Sequence, residues 1–337
     1  MSAKKINIDA INIGLMFLAL IPAMLLPFEL FLFVYAFLGP LHYLTEINWL
    51  HKKNYFTTQK YDYMLLLVLI AIISLLVFTH TTYKNYISFF YFFAFAAAFS
   101  MVIYNNYIKK ILLTLVLLAV GSVFFYFFND SFKTAFTILL PSLIHVFIFT
   151  GAFIILGSLK SKSKLGIVST VVFVICALIT LFASPRTGLT HVDAEVYNMY
   201  GIFRPINEVL VRLFSFMQVD NAKIAIWAPA GISERDMEIF FSGTGIKVMR
   251  FIAFAYTYHY FNWFSKTSVI QWHNTKRINM ILIVLIWIIS IVLYAKDYML
   301  GLKWLFVLSL AHVILEFPLN NRSFLEIKQQ LTAKFSK

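Results

Sequence analysis

Two short stretches of the chain pair an imidazole with a carboxylate one helical turn apart, inside otherwise apolar segments. GPLHYLTEINWLH (Gly39–His51) holds His42 and Glu46, and AHVILEFPLNNRSF (Ala311–Phe324) holds His312 and Glu316. Residues i and i+4 share a helix face, so each pair can address one point in space. A carboxylate buried in an apolar medium is costly unless it is paired or bound to a cation. Imidazole with carboxylate is the donor set of non-haem iron and of zinc sites that keep positions open for oxygen or substrate. The recurrence predicts a metal site, for iron, Fe(2+), or for zinc.

The composition says which elements must carry these residues. Hydrophobic residues make up 61% of the chain and charged residues 13%, and the mean hydropathy is +0.81. A soluble domain carries about twice that share of charge. The chain is therefore read as an all-α, polytopic integral membrane helical bundle. The basic start lacks a small-residue cleavage site, and its apolar part reads as a first transmembrane helix. The single Cys176 excludes an intramolecular disulfide and a cysteine-based metal site. A net charge of +13 would suit nucleic acid, but the cations are scattered through short loops, so no nucleic acid is expected.

A span needs about 20 apolar residues. Ten segments qualify: Ile8–Pro27, Glu29–Leu50, Tyr63–His80, Tyr86–Tyr104, Ile111–Phe128, Ala135–Ser158, Leu165–Ser184, Ile246–Ser265, Ile278–Tyr294 and Leu300–Phe317. Alternate loops differ in charge. One side holds Lys52, Lys53, Lys60, Lys109, Lys110 and the Lys160–Lys164 cluster, whereas the other offers Lys84, Lys133, Lys296 and Lys303. By the positive-inside rule both termini are cytoplasmic. A bacterial inner membrane is the expected location. The chain is read as one domain, with residues 185–245 forming an extracytoplasmic amphipathic connection over the bundle. Ser233 is its expected helix N-cap.

Four of the eight histidines, His51, His80, His191 and His273, fall at span ends or in loops. The other four, His42, His145, His259 and His312, lie in spans two, six, eight and ten, which all run the same way. Three of them sit within about two turns of the cytoplasmic end, and His145 lies deeper. A lone intramembrane histidine is more often a hydrogen-bond partner between helices. Four at similar depth, two followed by Glu, favour ligation. Around His259, FAYTYHYFNWF places Tyr256, Tyr258, Tyr260 and Trp263, which could line an apolar substrate or form an interfacial belt. Tyr258 and Asn262 are the expected donors that orient the His259 ring. Arg250 and Lys303 are expected to snorkel to the outer interface, and Glu29 and Asp62 to be helix-end charges. HVDAE (His191–Glu195) reads as a solvated loop.

The order and context of the four histidines resemble the Brp/Blh family, membrane proteins that cleave β-carotene to retinal with histidine-held iron. GPLHYLTE, SLIHVF, YTYHYF and LAHVILEF carry the likeness. Pro40-Leu41-His42-Tyr43 stands where that family has Pro-His-Gly, and Trp263 stands where it has a second His. The resemblance implies an iron-dependent dioxygenase with His42, His145, His259 and His312 as ligands. Glu46 and Glu316 would complete or orient the shell, O₂ would be co-substrate, and a carotenoid or other long apolar molecule would enter from membrane lipid. Two other readings stay open. One is a transporter using a His/Glu relay, and the other is a membrane acyl or glycosyl transferase with a histidine base.

Overall fold

The computed structural model describes residues 8–79, 82–184, 192–214, 232–266 and 270–335. Among these residues all regular structure is helical. The helices are α1 (Ile8–Leu25), α2 (Pro27–Lys52), α3 (Tyr63–Phe78), α4 (Ile87–Ile103), α5 (Tyr107–Phe127), α6 (Asn129–Lys133), α7 (Thr150–Ser161) and α8 (Lys164–Phe182). They continue as α9 (Ala194–Met199), α10 (Arg204–Phe214), α11 (Glu234–Phe241), α12 (Gly243–Ser265), α13 (Arg277–Lys296) and α14 (Tyr298–Phe335). Between α6 and α7 the segment Thr134–Phe149 is wound as a π-helix.

Among the described residues, eight helical stretches are long and apolar enough to cross a membrane. The α11–α12 pair passes the same test as one span bent by 59°, and α3 is a shorter apolar helix of 16 residues. The described residues of the ten predicted segments are mostly helical, and the protein is a multi-pass helical membrane protein. His80 and His191 lie outside the described residues, as do residues 185–190 and 215–231 of the predicted connection.

The chain divides into two units. Unit one comprises residues 1–39 and 157–269, and unit two residues 40–156 and 270–337. In unit one α1 packs on α8 and α12, while α10 and α11 pack on α12. The described part of the connection is built into this unit by aromatic contacts, including Phe28–Tyr200 at 5.0 Å and Phe28–Phe240 at 5.1 Å. Ser233 is an N-cap as predicted, its side chain accepting from the Asp236 N–H. Arg250 corrects an expectation. It is 3% exposed, and its Nη1 donates to the Ala183 carbonyl at 3.3 Å. Ala183 caps the C-terminus of α8, where unpaired carbonyls attract a cation, so the guanidinium turns inward rather than snorkelling.

In unit two α14 packs on α3, α4 and α13, and the π-helix packs on α4 and α14. Leu66, Leu69, Ala94, Ala98, Leu140 and Ile314 belong to its apolar core. The sequence predicts that the last span stops at Phe317, before Pro-Leu-Asn-Asn-Arg. Instead α14 runs on through Pro318 to Phe335. Asn320, Asn321 and Ser323 are buried, and the Ser323 hydroxyl bonds the Leu319 carbonyl. Packing outweighs the roughly 3 kcal/mol that an interior proline costs a helix.

Candidate metal centre

Three elements of unit two converge on one buried cluster. On α2, His42 and Glu46 are each 1% exposed, and the His42 Nε2 lies 3.1 Å from the Glu46 Oε2. The i, i+4 spacing makes this pair, as the sequence predicts. Thr45, on the next position, turns its hydroxyl back to the Leu41 and His42 carbonyls, so it leaves the face to its neighbours.

The π-helix supplies His145, four residues after Pro141. Proline removes one N–H from the ladder, and a wider winding re-pairs the backbone around that gap. On α14, Ser309, His312, Glu316 and Asn320 follow at spacings of three and four, which puts them along one stripe of the helix. All four site side chains contributed by the π-helix and α14, His145, His312, Glu316 and Asn320, are buried.

Contacts along the stripe constrain where its protons can sit. The His312 Nδ1 lies 2.6 Å from the Ser309 carbonyl oxygen. A carbonyl only accepts, so Nδ1 must carry the proton, and a neutral His312 ring has its lone pair on Nε2. His145 Nδ1 lies 3.0 Å from the Glu316 Oε2. That contact is an ion-pair distance rather than a hydrogen bond, so the His145 proton can sit on either ring nitrogen. These two Nε2 atoms are 3.1 Å apart. At that distance one ring can donate its Nε2–H to the other, or both lone pairs can face a shared metal ion.

A metal fits this donor set. Metal–nitrogen bonds of about 2.0–2.1 Å place two nitrogens on one ion roughly 3 Å apart. The ligand atoms of His42, Glu46 and His312 all lie within 4.8 Å of one another. His42 and His312 have ring centroids 5.4 Å apart. Two carboxyl groups and three imidazoles meet here, and a divalent cation would offset the charge of whichever carboxyls are ionised. In an apolar interior such cancellation decides whether the carboxylates can stay charged.

The two His-to-Glu turns, alike in sequence, do different things. Glu46 pairs with its own histidine. Glu316 reaches across to His145, because His312 is already committed to the Ser309 carbonyl in its own helix. Glu316 is further held by Asn320, whose Nδ2 donates to Oε2 at 3.4 Å. Tyr43 stacks on His312 with centroids 4.1 Å apart and planes at 22°. Ser309, Asn320 and Tyr43 escape a search for ligand residue types. Extending the helical spacing from Glu316 to i+4 would have found Asn320.

His259 and the predicted substrate-lining residues belong to unit one, on α12. His259, Tyr258, Tyr260 and Trp263 are buried there. Tyr256 meets Phe31 edge to face at 4.9 Å. Tyr258 does not orient His259: its ring packs on Phe173 at 5.4 Å and stacks on Phe254 at 6.1 Å, and its hydroxyl has no hydrogen-bond partner. Adjacent residues on a helix face different directions, so i and i+1 cannot serve each other. No family model, no curated protein and no solved structure matches the chain.

Proposed function

We propose that the protein is a metal-dependent oxygenase embedded in a membrane and acting on a long apolar substrate. The observation that carries this reading is the pair of imidazole Nε2 atoms 3.1 Å apart, one backed by a carboxylate and the other by a carbonyl. Partners on the far ring nitrogen are what fix the tautomer and orientation of a ligating histidine. His42, Glu46, His145 and His312 would hold the ion, and Glu316 and Ser309 would orient the rings. Iron, when bound, supplies the redox capacity and open coordination positions that dioxygen chemistry requires. The burial of His42, Glu46, His145, His312 and Glu316, each at most 3% exposed, would keep bulk water from the ion.

The likeness to the Brp/Blh family points to β-carotene and its cleavage to retinal as the first reaction to test. The same likeness adds His259 to the ligand set. The positive-inside bias supports ten crossings with both termini cytoplasmic, α3 and the bent α11–α12 pair each counting once, in a bacterial inner membrane. The test is metal analysis of protein purified in mild detergent without chelators. Near-stoichiometric iron, lost in His42→Ala and His312→Ala, is expected; His259→Ala in the same series reads that residue's part. Metal-free wild-type protein would sink the proposal. Loss of colour and appearance of retinal in a β-carotene-producing host then tests the substrate.

One observation favours a second reading. Glu316, His145, His312 and the Ser309 carbonyl form a continuous chain of proton-sharing contacts, which is also the geometry of a proton relay in a transporter. Proton uptake into vesicles by a metal-free protein would establish that reading in place of the first.

A further inference from the structure

Asn320 is a buried polar side chain beside the cluster whose presence packing alone does not favour. It is 1% exposed, it follows Glu316 by four residues on α14, and its Oδ1 is enclosed without a hydrogen-bond partner. An enclosed polar atom with no partner costs the fold, and an apolar side chain of similar shape avoids that cost. The backbone that carries Asn320 is costly as well. Pro318 stands between Glu316 and Asn320, and its ring removes one N–H from the helical ladder. A helix that stopped at Pro318 would present no residue at i+4 from Glu316. Both costs fall beside the one side chain that donates to Glu316.

A single oxygen of Glu316 makes two contacts. Its Oε2 lies 3.0 Å from the His145 Nδ1 and accepts from the Asn320 Nδ2 at 3.4 Å. The terminal torsion of a glutamate is broad and roughly two-fold, so one contact leaves the carboxyl group free to turn. A second contact on the same oxygen selects which oxygen faces the ring. His312 needs no such device. Its Nδ1 faces the Ser309 carbonyl, which the helix backbone already fixes. His145 is backed by a flexible side chain instead, and its Nε2 lies 3.1 Å from the His312 Nε2. Direction therefore passes from Asn320 to Glu316, then to the His145 ring, and so to the point where the two imidazoles meet.

We infer that Asn320 is a positioning residue of the metal centre, acting on His145 through Glu316 and retained at a cost to the fold. This role rests on the metal-dependent reading of the cluster. Full-length protein in mild detergent is stripped of metal and titrated with Fe(2+) under anaerobic conditions, in competition with a chelating dye. Asn320→Leu removes the amide while keeping a similar shape. It binds Fe(2+) about tenfold more weakly than wild type, the lower end of the range for a ligand's supporting partner. The thermal midpoint of metal-free Asn320→Leu is no lower than that of wild type, which a packing role would not give. Introduced into Glu316→Ala, the same substitution changes the affinity by less than about twofold, because the group it acts through is gone. Asn320→Ala takes the place of Asn320→Leu should the latter not fold, and the affinities then decide. An unchanged affinity in the single variant overturns the role. A loss that adds in full to that of Glu316→Ala also overturns it, and with a lowered midpoint assigns Asn320 to packing. Wild-type protein that binds no Fe(2+) overturns the metal reading itself, and this role with it.

Discussion

His145 engages partners through both ring nitrogens, with Glu316 behind it and His312 in front. In a site of this kind the carboxylate behind the ring sets the ring's direction, and losing such a partner typically costs about 10–100-fold in metal affinity. Glu316→Ala is therefore expected to weaken the proposed iron binding within that range while leaving the ligand atoms in place. Glu316→Gln keeps an oxygen that can accept from Nδ1, so its loss should be the smaller of the two. Competition with a chelating dye measures both. Equal affinities for wild type and Glu316→Ala would show that Glu316 has no part in the site. The pairing of His42 with Glu46 was legible in the sequence, since both partners lie on one helix. The partner of His145 was not, because nothing in SLIHVF encodes which helix comes to face it.

At the scale of elements, two local devices hold the helices where the site needs them or where unit one turns. Asp62 was read as a helix-end charge. It accepts from Lys110 Nζ at 2.6 Å, and both side chains are buried, which ties the start of α3 to the start of α5. Removing one member of a buried pair leaves an uncompensated charge and costs about 3–5 kcal/mol, whereas replacing both is far milder. Asp62→Ala should thus lower the thermal midpoint of the detergent-solubilised protein markedly. The double variant Asp62→Asn/Lys110→Met should recover most of the loss, and failure to recover would show that the charge pairing is not what matters. In unit one, Gly245 lies just after the bend between α11 and α12. A Cβ there would overlap the carbonyl oxygens of Ile239 and Glu238. Backbone cannot yield as a flexible side chain would, so Gly245→Ala is expected to destabilise the protein by about 3 kcal/mol, read by denaturant unfolding. Glycine in SGTGIK is visible in the sequence, but the carbonyls that require it are brought there only by the 59° bend.

At the scale of the whole molecule, polarity is arranged for lipid. Leu18, Leu75, Ile108, Phe127 and Ile278 are more than half exposed, while His42, Glu46, His145 and Glu316 are buried. An exterior of large apolar side chains is stable only where water is absent, since a backbone in hydrocarbon must satisfy its own hydrogen bonds and helices do so. The protein should remain with the membrane fraction after alkaline carbonate extraction, and release into the supernatant would contradict the multi-pass reading. Reporter fusions at each terminus test the proposed topology, with activity expected only from reporters that function in the cytoplasm.

Composition and hydropathy were enough, by themselves, to determine a helical membrane protein, because each span satisfies its backbone locally and advertises itself as a run of apolar residues. Spacing was enough for the His42–Glu46 pair for the same reason. Tertiary structure alone decided that Glu316 serves His145, that α14 continues past Pro318 and that Arg250 turns inward to the end of α8. Each of these depends on an atom brought near from a different helix, or on burial of polar residues that a local rule reads as a stop. The energies involved belong to packing and to charge compensation in a dry interior, and those quantities do not exist until the helices meet.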